Sequence, residues 1–110
     1  MLIQLEEILS SYFEQELMQE LGLPTVQYLS EKLNISPTYL SDMLRSVTGR
    51  NAQQHISEKL IEKAKEMLTT TPLSISEIAY KLGYEHPQSF NKLFKNKTNI
   101  SPLEFRASFN

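Results

Sequence analysis

Residues 73–106 read LSISEIAYKLGYEHPQSFNKLFKNKTNISPLEFR, and this stretch contains the start and stop signals of three short helices. Ser74 is a good N-cap for a helix that Gly83 ends. Pro87 stands where a second helix begins, and Asn99 interrupts that helix. The segment therefore predicts a helix, a tight turn, a second helix, and a short closing helix that starts at the tetrapeptide NISP.

The same arrangement occurs earlier in the chain. VQYLSEKLN at residues 26–34 aligns with ISEIAYKLG at residues 75–83, and PTYLSDMLRSVTG at 37–49 aligns with PQSFNKLFKNKTN at 87–99. Apolar positions and the Gly or Asn at helix ends coincide in both alignments, and the prolines coincide in the second. Apolar residues at steps of three and four over 52–70 predict one long helix between the copies. NISP also occurs twice, but it is a helix-start signal and not the repeat.

The whole chain predicts an all-α fold of about seven helices, because no segment has the period-two alternation of a strand. Two pairs of short helices joined by one long helix would make this fold homeodomain-like. Leucines and one Phe at steps of three and four predict a single amphipathic leader helix over residues 2–21. The predicted organisation is a leader helix packing on the first unit (1–22), a first helix-turn-helix unit (23–49), a connecting helix (50–71), and a second unit with its closing helix (72–110).

The apolar side chains of these helices predict the core. We expect Val47 to face inward on the second helix of the first unit, and Leu103 to dock with Phe105 or Phe109 on the closing helix. Aromatic side chains at helical spacing are more often core residues than stacking platforms. We therefore expect the five Phe and Tyr28, Tyr39, Tyr80 and Tyr84 to be core and staple residues.

Composition limits the possible functions. The 110 residues include no Cys, which excludes disulfides, thiol catalysis and Cys-ligated zinc. The start of the chain has no signal-peptide pattern, and no apolar run reaches the roughly 18 residues of a membrane span. We expect a cytoplasmic, nucleoid-associated protein. The net charge of −2 conceals five acids and no bases in residues 1–22, so the other 88 residues hold all 11 bases and 13 − 5 = 8 acids.

Two helix-turn-helix units at this spacing suggest DNA recognition, with the second helix of each unit in a major groove. Over about residues 24–107 the chain resembles the AraC/XylS transcription regulators. The resemblance depends on SPTYLSDMLRSVTG, on KLIEKAKEML, and above all on the quoted stretch, with its Gly83-Tyr84 pair, Phe90 and Phe94, and a closing pattern ending in Phe105-Arg106. It implies a bacterial DNA-binding domain with two such units on a long connecting helix.

In the first unit, Thr38, Ser41, Asp42 and Arg45 share the helix face opposite the apolar side chains. The resemblance implies that Thr38, Ser41 and Asp42 face bases. A Thr methyl can contact a thymine methyl, and Asp can accept a hydrogen bond from cytosine N4. The family often has Arg where Asp42 stands, and a carboxylate near phosphates needs a partner. We expect Arg45 to contact the DNA backbone.

In the second unit, the matching face carries Gln88, Asn91, Lys92 and Lys95. The resemblance implies that Gln88, Asn91 and Lys92 contact bases. Gln and Asn can bind adenine through two hydrogen bonds, and Lys can reach guanine. Residues 75–98 carry four bases and two acids, whereas residues 25–48 carry two of each. We expect Lys95 and Lys97 to contact phosphates, unless they serve only solubility.

Three further positions are candidates for backbone contacts. Thr25 and Ser74 start the first helix of each unit, where helix N–H groups can bind a phosphate, although both residues would be equally suited to capping alone. Arg50 precedes the connecting helix. Asn99 replaces a Gly common in the family, and Asn tolerates the left-handed backbone that the turn needs.

Other functional classes fit less well. No catalytic set, phosphate-binding loop or metal-ligand spacing is present, so we expect no enzyme activity, no cofactor and no metal. A helical protein-interaction module without DNA binding is the alternative, because the acidic leader could pair with another helix. Double-stranded DNA is the expected partner, with RNA polymerase as a further candidate. An upstream sensing or dimerisation domain is expected outside this chain, unless the chain acts alone.

Overall fold

The computed structural model describes residues 1–109 and shows eight α-helices and no strand in that range. Asn110, the last residue of the predicted second unit, lies outside the described residues. The helices are α1 (Leu2–Glu14), α2 (Met18–Leu21), α3 (Val26–Leu33), α4 (Pro37–Thr48), α5 (Ala52–Thr70), α6 (Ile75–Leu82), α7 (Pro87–Thr98) and α8 (Pro102–Ala107). The all-α fold class is confirmed.

The two units share α5. Helices α3 and α4 form the first unit and pack on this helix, and α6, α7 and α8 of the second unit pack on it as well. Its buried apolar side chains include Ile56, Leu60, Ala64 and Leu68. Because helices as short as α3 and α6 gain most of their stability from burying an apolar face, α5 supplies the surface that both units need. We call α4 and α7, the second helices of the units, the recognition helices.

The repeat extends to individual hydrogen bonds. The helix-turn-helix turns contain Asn34 at φ 61° and Gly83 at φ 106°, and both are left-handed. At the ends of the recognition helices, Thr48 Oγ1 donates to Leu44 O at 2.7 Å, and Thr98 Oγ1 donates to the corresponding carbonyl of the second unit at 2.8 Å. Each recognition helix therefore ends with the same threonine bond. The left-handed residue that follows is Gly49 or Asn99.

The predicted leader helix is two helices, which is why the structure has eight and not seven. The chain breaks at Gln15–Leu17, where Glu16 adopts φ 55° and Leu17 N donates to Tyr12 O at 3.0 Å. The left-handed backbone at Glu16 redirects the chain. As a result α1 packs against α3 of the first unit, whereas α2 packs against α6 of the second.

The core contains most of the expected residues, with exceptions at helix ends. Phe13, Phe90, Phe94 and Tyr84 are buried, and Tyr28 and Phe105 pack against the core. Burial raises the pKa of Tyr84 to about 12. The inward position expected for Val47 is wrong, because its side chain is 70% exposed in the last turn of α4. The core positions expected for Tyr39, Tyr80, Leu103 and Phe109 are wrong too, since more than half of each side chain is exposed, although the Phe109 ring lies against that of Phe105 with centroids 4.9 Å apart.

Arg106 ties the closing helix α8 to the end of α5. Its Nε donates to Leu68 O at 3.0 Å, and its Nη2 donates to Thr71 O at 3.3 Å. The last carbonyls of a helix have no partner within the helix, and a cation near them also favours the helix dipole. Arg106 therefore caps the connecting helix from a distant part of the chain.

Replacing this cap tests its contribution to stability. We expect Arg106→Ala to lower the free energy of unfolding by about 1.5 to 3 kcal/mol, because two hydrogen bonds from a charged donor are lost. Urea denaturation followed by circular dichroism measures the change. Arg45→Ala, which removes an exposed arginine, should cost less than about 1 kcal/mol. Equal losses for the two variants would contradict a capping role for Arg106.

Candidate nucleic-acid interface

The orientation of α4 is fixed by its start and by its buried face. Ser36 Oγ accepts a hydrogen bond from Tyr39 N at 3.1 Å, and Pro37 occupies the first turn. Leu40 and Leu44 are buried. The opposite face consequently turns to solvent. Of the four predicted residues on this face, Thr38, Asp42 and Arg45 are exposed, and Ser41 is half-buried.

The orientation of α7 is fixed in the same way by buried Phe90 and Phe94, whose rings meet edge to face with centroids 5.9 Å apart. The predicted residues on its other side are all exposed and follow the i, i+3, i+4, i+7 spacing of one helix face. This set is Gln88, Asn91, Lys92 and Lys95. Lys97 is exposed as well, but nine residues after Gln88 it lies about 180° around the helix, outside this stripe.

The two recognition helices differ in charge. Helix α7 carries three lysines and no acidic residue. Helix α4 carries one acid and one base, and Arg45 Nη1 lies 3.4 Å from Asp42 Oδ1. Both side chains of this ion pair are mainly exposed. Asp42 thus has the cationic partner that a carboxylate near phosphates requires, and α7 presents the stronger positive field.

The first helices of the two units begin differently. Thr25 Oγ1 accepts from Tyr28 N at 3.0 Å, and no acidic residue lies in the first turn of α3. At α6, Ser74 Oγ accepts from Glu77 N, and Ser74 N donates to Glu77 Oε1, both at 3.0 Å. The backbone N–H and the hydroxyl of Ser74 hold the pKa of Glu77 below its ordinary value. A carboxylate therefore occupies the N-terminus of α6, whereas that of α3 is free of acids.

The surroundings of Arg50 and Tyr39 are seen only in the structure. Arg50 Nη1 lies 3.1 Å from Glu58 Oε1, so this candidate backbone contact is held by the connecting helix. Tyr39, expected in the core, is 58% exposed on α4. Successive side chains of an α-helix point about 100° apart, so Tyr39 lies about 100° around α4 from Thr38 and about 100° from the buried Leu40. This angle from the buried face is the sequence signal that could have identified Tyr39 as exposed.

Ligand classes other than nucleic acid find little support in the described part of the chain. Among residues 1–109, no group of three or more His, Cys, Asp or Glu side chains converges on a point where a metal ion could bind. None of the eight helices is both long enough and apolar enough to cross a membrane.

A family model for a helix-turn-helix domain matches residues 29–108, which include the second half of α3 and all of α4 to α8. The chain belongs to the AraC-type helix-turn-helix family. Domains of this family bind DNA in transcription regulation, and the domain itself is not an enzyme. The alternative of a helical interaction module without DNA binding is therefore wrong.

Similar proteins agree with this assignment. An HTH-type transcriptional regulator from Pseudoalteromonas carrageenovora is 29% identical over 98 residues, which make up 89% of this chain and 56% of that protein. The C-terminal domain of the two-component response regulator YesN from Fusobacterium nucleatum is 34% identical, with a TM-score of 0.74 over 92% of this chain and 96% of that chain.

The DNA-binding domain of AdpA, a global transcriptional factor crystallised with a target DNA, has a TM-score of 0.77 at 23% identity over 96% of this chain and 91% of that chain. At that identity the likeness is one of fold. The chain spans 56% of the length of the Pseudoalteromonas regulator. It spans smaller shares of other curated relatives.

The capping box at α6 gives a prediction about ionisation. Ser74→Ala should raise the pKa of Glu77 towards its ordinary value, because the Ser74 hydroxyl no longer stabilises the carboxylate. A depressed folded pKa stabilises the fold above the unfolded pKa, and this stabilisation is lost as the pH falls through the folded pKa. Carboxyl NMR titration measures the shift. Glu104, whose pKa is lowered by a similar box with Ser101, is the control and should not change. An unaltered Glu77 titration would rule out the role of the hydroxyl.

Proposed function

We propose that the chain reads double-stranded DNA with α4 and α7, which enter successive major grooves on one side of the duplex. The observation that carries this proposal is the attachment of both recognition helices to α5, which is 19 residues long. A helix of that length spans roughly 28 Å at 1.5 Å per residue. Successive major grooves on one face of B-DNA lie about 34 Å apart, so one chain can present a helix to each.

The second unit supplies the larger share of affinity in this proposal. Gln88 and Asn91 bind adenine in this proposal, and Lys92 reaches guanine O6 and N7; their exposure on one face of α7 supports these contacts. Lys95 lies on the same exposed stripe and contacts phosphate. Lys97, outside the stripe, would reach a phosphate only beside the groove. The absence of acids on α7 supports its role as the stronger electrostatic anchor.

The first unit reads bases through Thr38, Ser41 and Asp42. The ion pair with Arg45 supports a place for the Asp42 carboxylate near DNA, since the guanidinium offsets the repulsion from phosphates. Asp42 then accepts from cytosine N4, while Arg45 turns its remaining N–H groups to the backbone. The exposed hydroxyl of Tyr39 adds a donor for a neighbouring phosphate.

The remaining candidates for contacts with the DNA backbone differ in how accessible they are to a phosphate. The acid-free N-terminus of α3 at Thr25 supports a phosphate contact through backbone N–H groups. At Ser74 a phosphate would have to displace the carboxylate of Glu77, so that position is the weaker of the two. Arg50 can contact DNA while it stays paired with Glu58, because both side chains are about half exposed.

We further propose that this domain acts within a longer regulator in the cytoplasm, associated with the nucleoid. The longer curated relatives support an additional sensing or dimerisation domain upstream. The outer face of α1 exposes Leu2 and Ile3 next to Glu6 and Glu7, which offers a surface for such a domain. RNA polymerase is the partner that a regulator bound near a promoter would meet.

The phosphate contact of Lys95 is tested by salt dependence. Lys95→Ala should weaken binding to all duplexes about equally and lower the slope of log K against log salt by about 1, because one released counterion is lost. Fluorescence anisotropy between about 50 and 200 mM salt measures the slope. Lys63→Ala removes the same charge from α5 and should leave the slope nearly unchanged. Equal slopes for wild type and Lys95→Ala would remove Lys95 from the interface.

Base reading by Gln88 is tested by sequence preference. Gln88→Ala should relax the preference at one or two base pairs and weaken binding to the best site by about 1–3 kcal/mol, because a side chain that contacts a base edge is lost. Sequencing of duplexes bound by each variant measures the preference. Ser89→Ala, next to it on α7 but off the stripe, is the control. A motif that Gln88→Ala leaves intact would make Gln88 an ordinary surface residue.

A further inference from the structure

The leader segment, residues 1–22, contacts both helix-turn-helix units. Helix α1 packs against α3, and Glu6 Oε2 lies 3.9 Å from the Nζ of the largely buried Lys59 of α5. Helix α2 packs against α6 of the second unit. The leader segment thus crosses from one unit to the other, in addition to the link that α5 provides.

At the end of the leader segment, the backbone at Gly22 and Leu23 lies against the backbone of Gly83 in the second unit. A Cβ atom at Gly83 would lie 2.8 Å from the carbonyl carbon of Gly22 and 2.9 Å from Leu23 N, distances that side chains do not tolerate. Tyr12, which is buried, donates from its hydroxyl to Gly22 O at 2.6 Å and holds that carbonyl in place. We call this approach of Gly22 and Leu23 to Gly83 the glycine contact.

The glycine contact lies at a position that affects both recognition helices. Gly83 is in the turn between α6 and α7, so it determines how α7 leaves the second unit. Only Pro24 separates Leu23 from Thr25, the N-cap of α3 in the first unit. Leu23 and Thr25 also line a groove with Leu60 of α5 and Tyr84 of the second unit, so the seam between the units runs through this point.

We propose that the leader segment is a positioning element for DNA reading, because the glycine contact fixes the separation and relative orientation of α4 and α7. Both units pack on α5, and bending and rolling of one unit against the other are the motions that a single shared helix restrains least. A second attachment on another side of the seam restricts both. The two half-sites on DNA must then lie at one spacing. This inference rests on the proposed reading of two grooves by one chain.

A pair of variants tests the glycine contact at two left-handed glycines. Gly83→Asn introduces a Cβ into the contact in a turn at φ 106°, whereas the left-handed Asn34 of the first unit adopts φ 61°. Because φ 106° lies outside the usual left-handed region, part of the effect of Gly83→Asn is strain in the turn, and Tyr12→Phe, described below, is the variant that leaves this turn unchanged. Gly49→Asn places the same residue at φ 80° with nothing within 4 Å of its Cβ. Both variants alter a left-handed glycine, but only Gly83→Asn separates the leader segment from the second unit.

The first readout needs no DNA. Because the chain has no native Cys, spin labels at Ser46→Cys and Asn96→Cys report the distance between the recognition helices without background. Both positions are exposed and lie outside the proposed base contacts. We expect one narrow distance distribution for wild type and for Gly49→Asn, and a broader or displaced distribution for Gly83→Asn. Identical distributions for all three proteins would overturn the positioning role.

The second readout is the spacing preference on DNA. Inserting one base pair between the half-sites of the duplex selected by wild type moves the second half-site by about 3.4 Å and rotates it by about 35°. Wild type and Gly49→Asn should lose about tenfold or more in affinity, comparable to one mismatched base pair. Gly83→Asn should bind both duplexes with similar affinity. A spacing preference retained by Gly83→Asn, or lost equally in Gly49→Asn, would overturn the inference.

A second variant keeps the test decisive if Gly83→Asn does not fold. Tyr12→Phe removes the hydrogen bond to Gly22 O and introduces no clash, and circular dichroism checks its helix content. It should broaden the distance distribution and reduce the spacing preference in the same direction, and wild-type behaviour in both readouts would count against the proposal. If wild type selects no two-part site at all, the proposed two-groove reading fails, whereas the label distances still test the glycine contact separately.

Discussion

The structure depends on the burial of one helix between two units. Ile56, Leu60, Ala64 and Leu68 of α5 are enclosed by helices from both sides. The short helices of both units gain most of their stability from tertiary packing, and α5 provides much of the surface on which they pack. The sharing of α5 therefore couples the stability of the two units. It also places both recognition helices on one scaffold before DNA is bound.

Local features of the fold could be predicted from sequence because local chemistry determines them. Ser36 with Pro37, and Ser101 with Pro102, start helices where the NISP signals predict them. Asn99 adopts the left-handed conformation that a Gly would adopt, at φ 68°. The alignment of the two units extends to the threonine hydrogen bonds that end α4 and α7. Each of these features depends on residues within one or two turns of each other.

The remaining features arise from contacts between distant segments. Nothing in the sequence around Glu16 signals the break in the leader, because a left-handed Glu is favoured only by what α2 gains by packing on α6. The close approach of Gly22 to Gly83 joins residues 61 positions apart (83 − 22) and leaves no periodic trace. In the site, the stripes on α4 and α7 follow from helical spacing. The capping box of Ser74 with Glu77 was readable as Ser-x-x-Glu, but its effect on phosphate access needed the structure.

The central claim is that one chain holds two different recognition helices at a set separation. Selection of bound duplexes from a random pool of about 25 base pairs, long enough for two helical turns, followed by sequencing, tests it most directly. The account predicts an asymmetric motif of two unlike half-sites whose centres lie about 10 to 10.5 base pairs apart. A single short motif, a palindrome, or half-sites at variable spacing would contradict it.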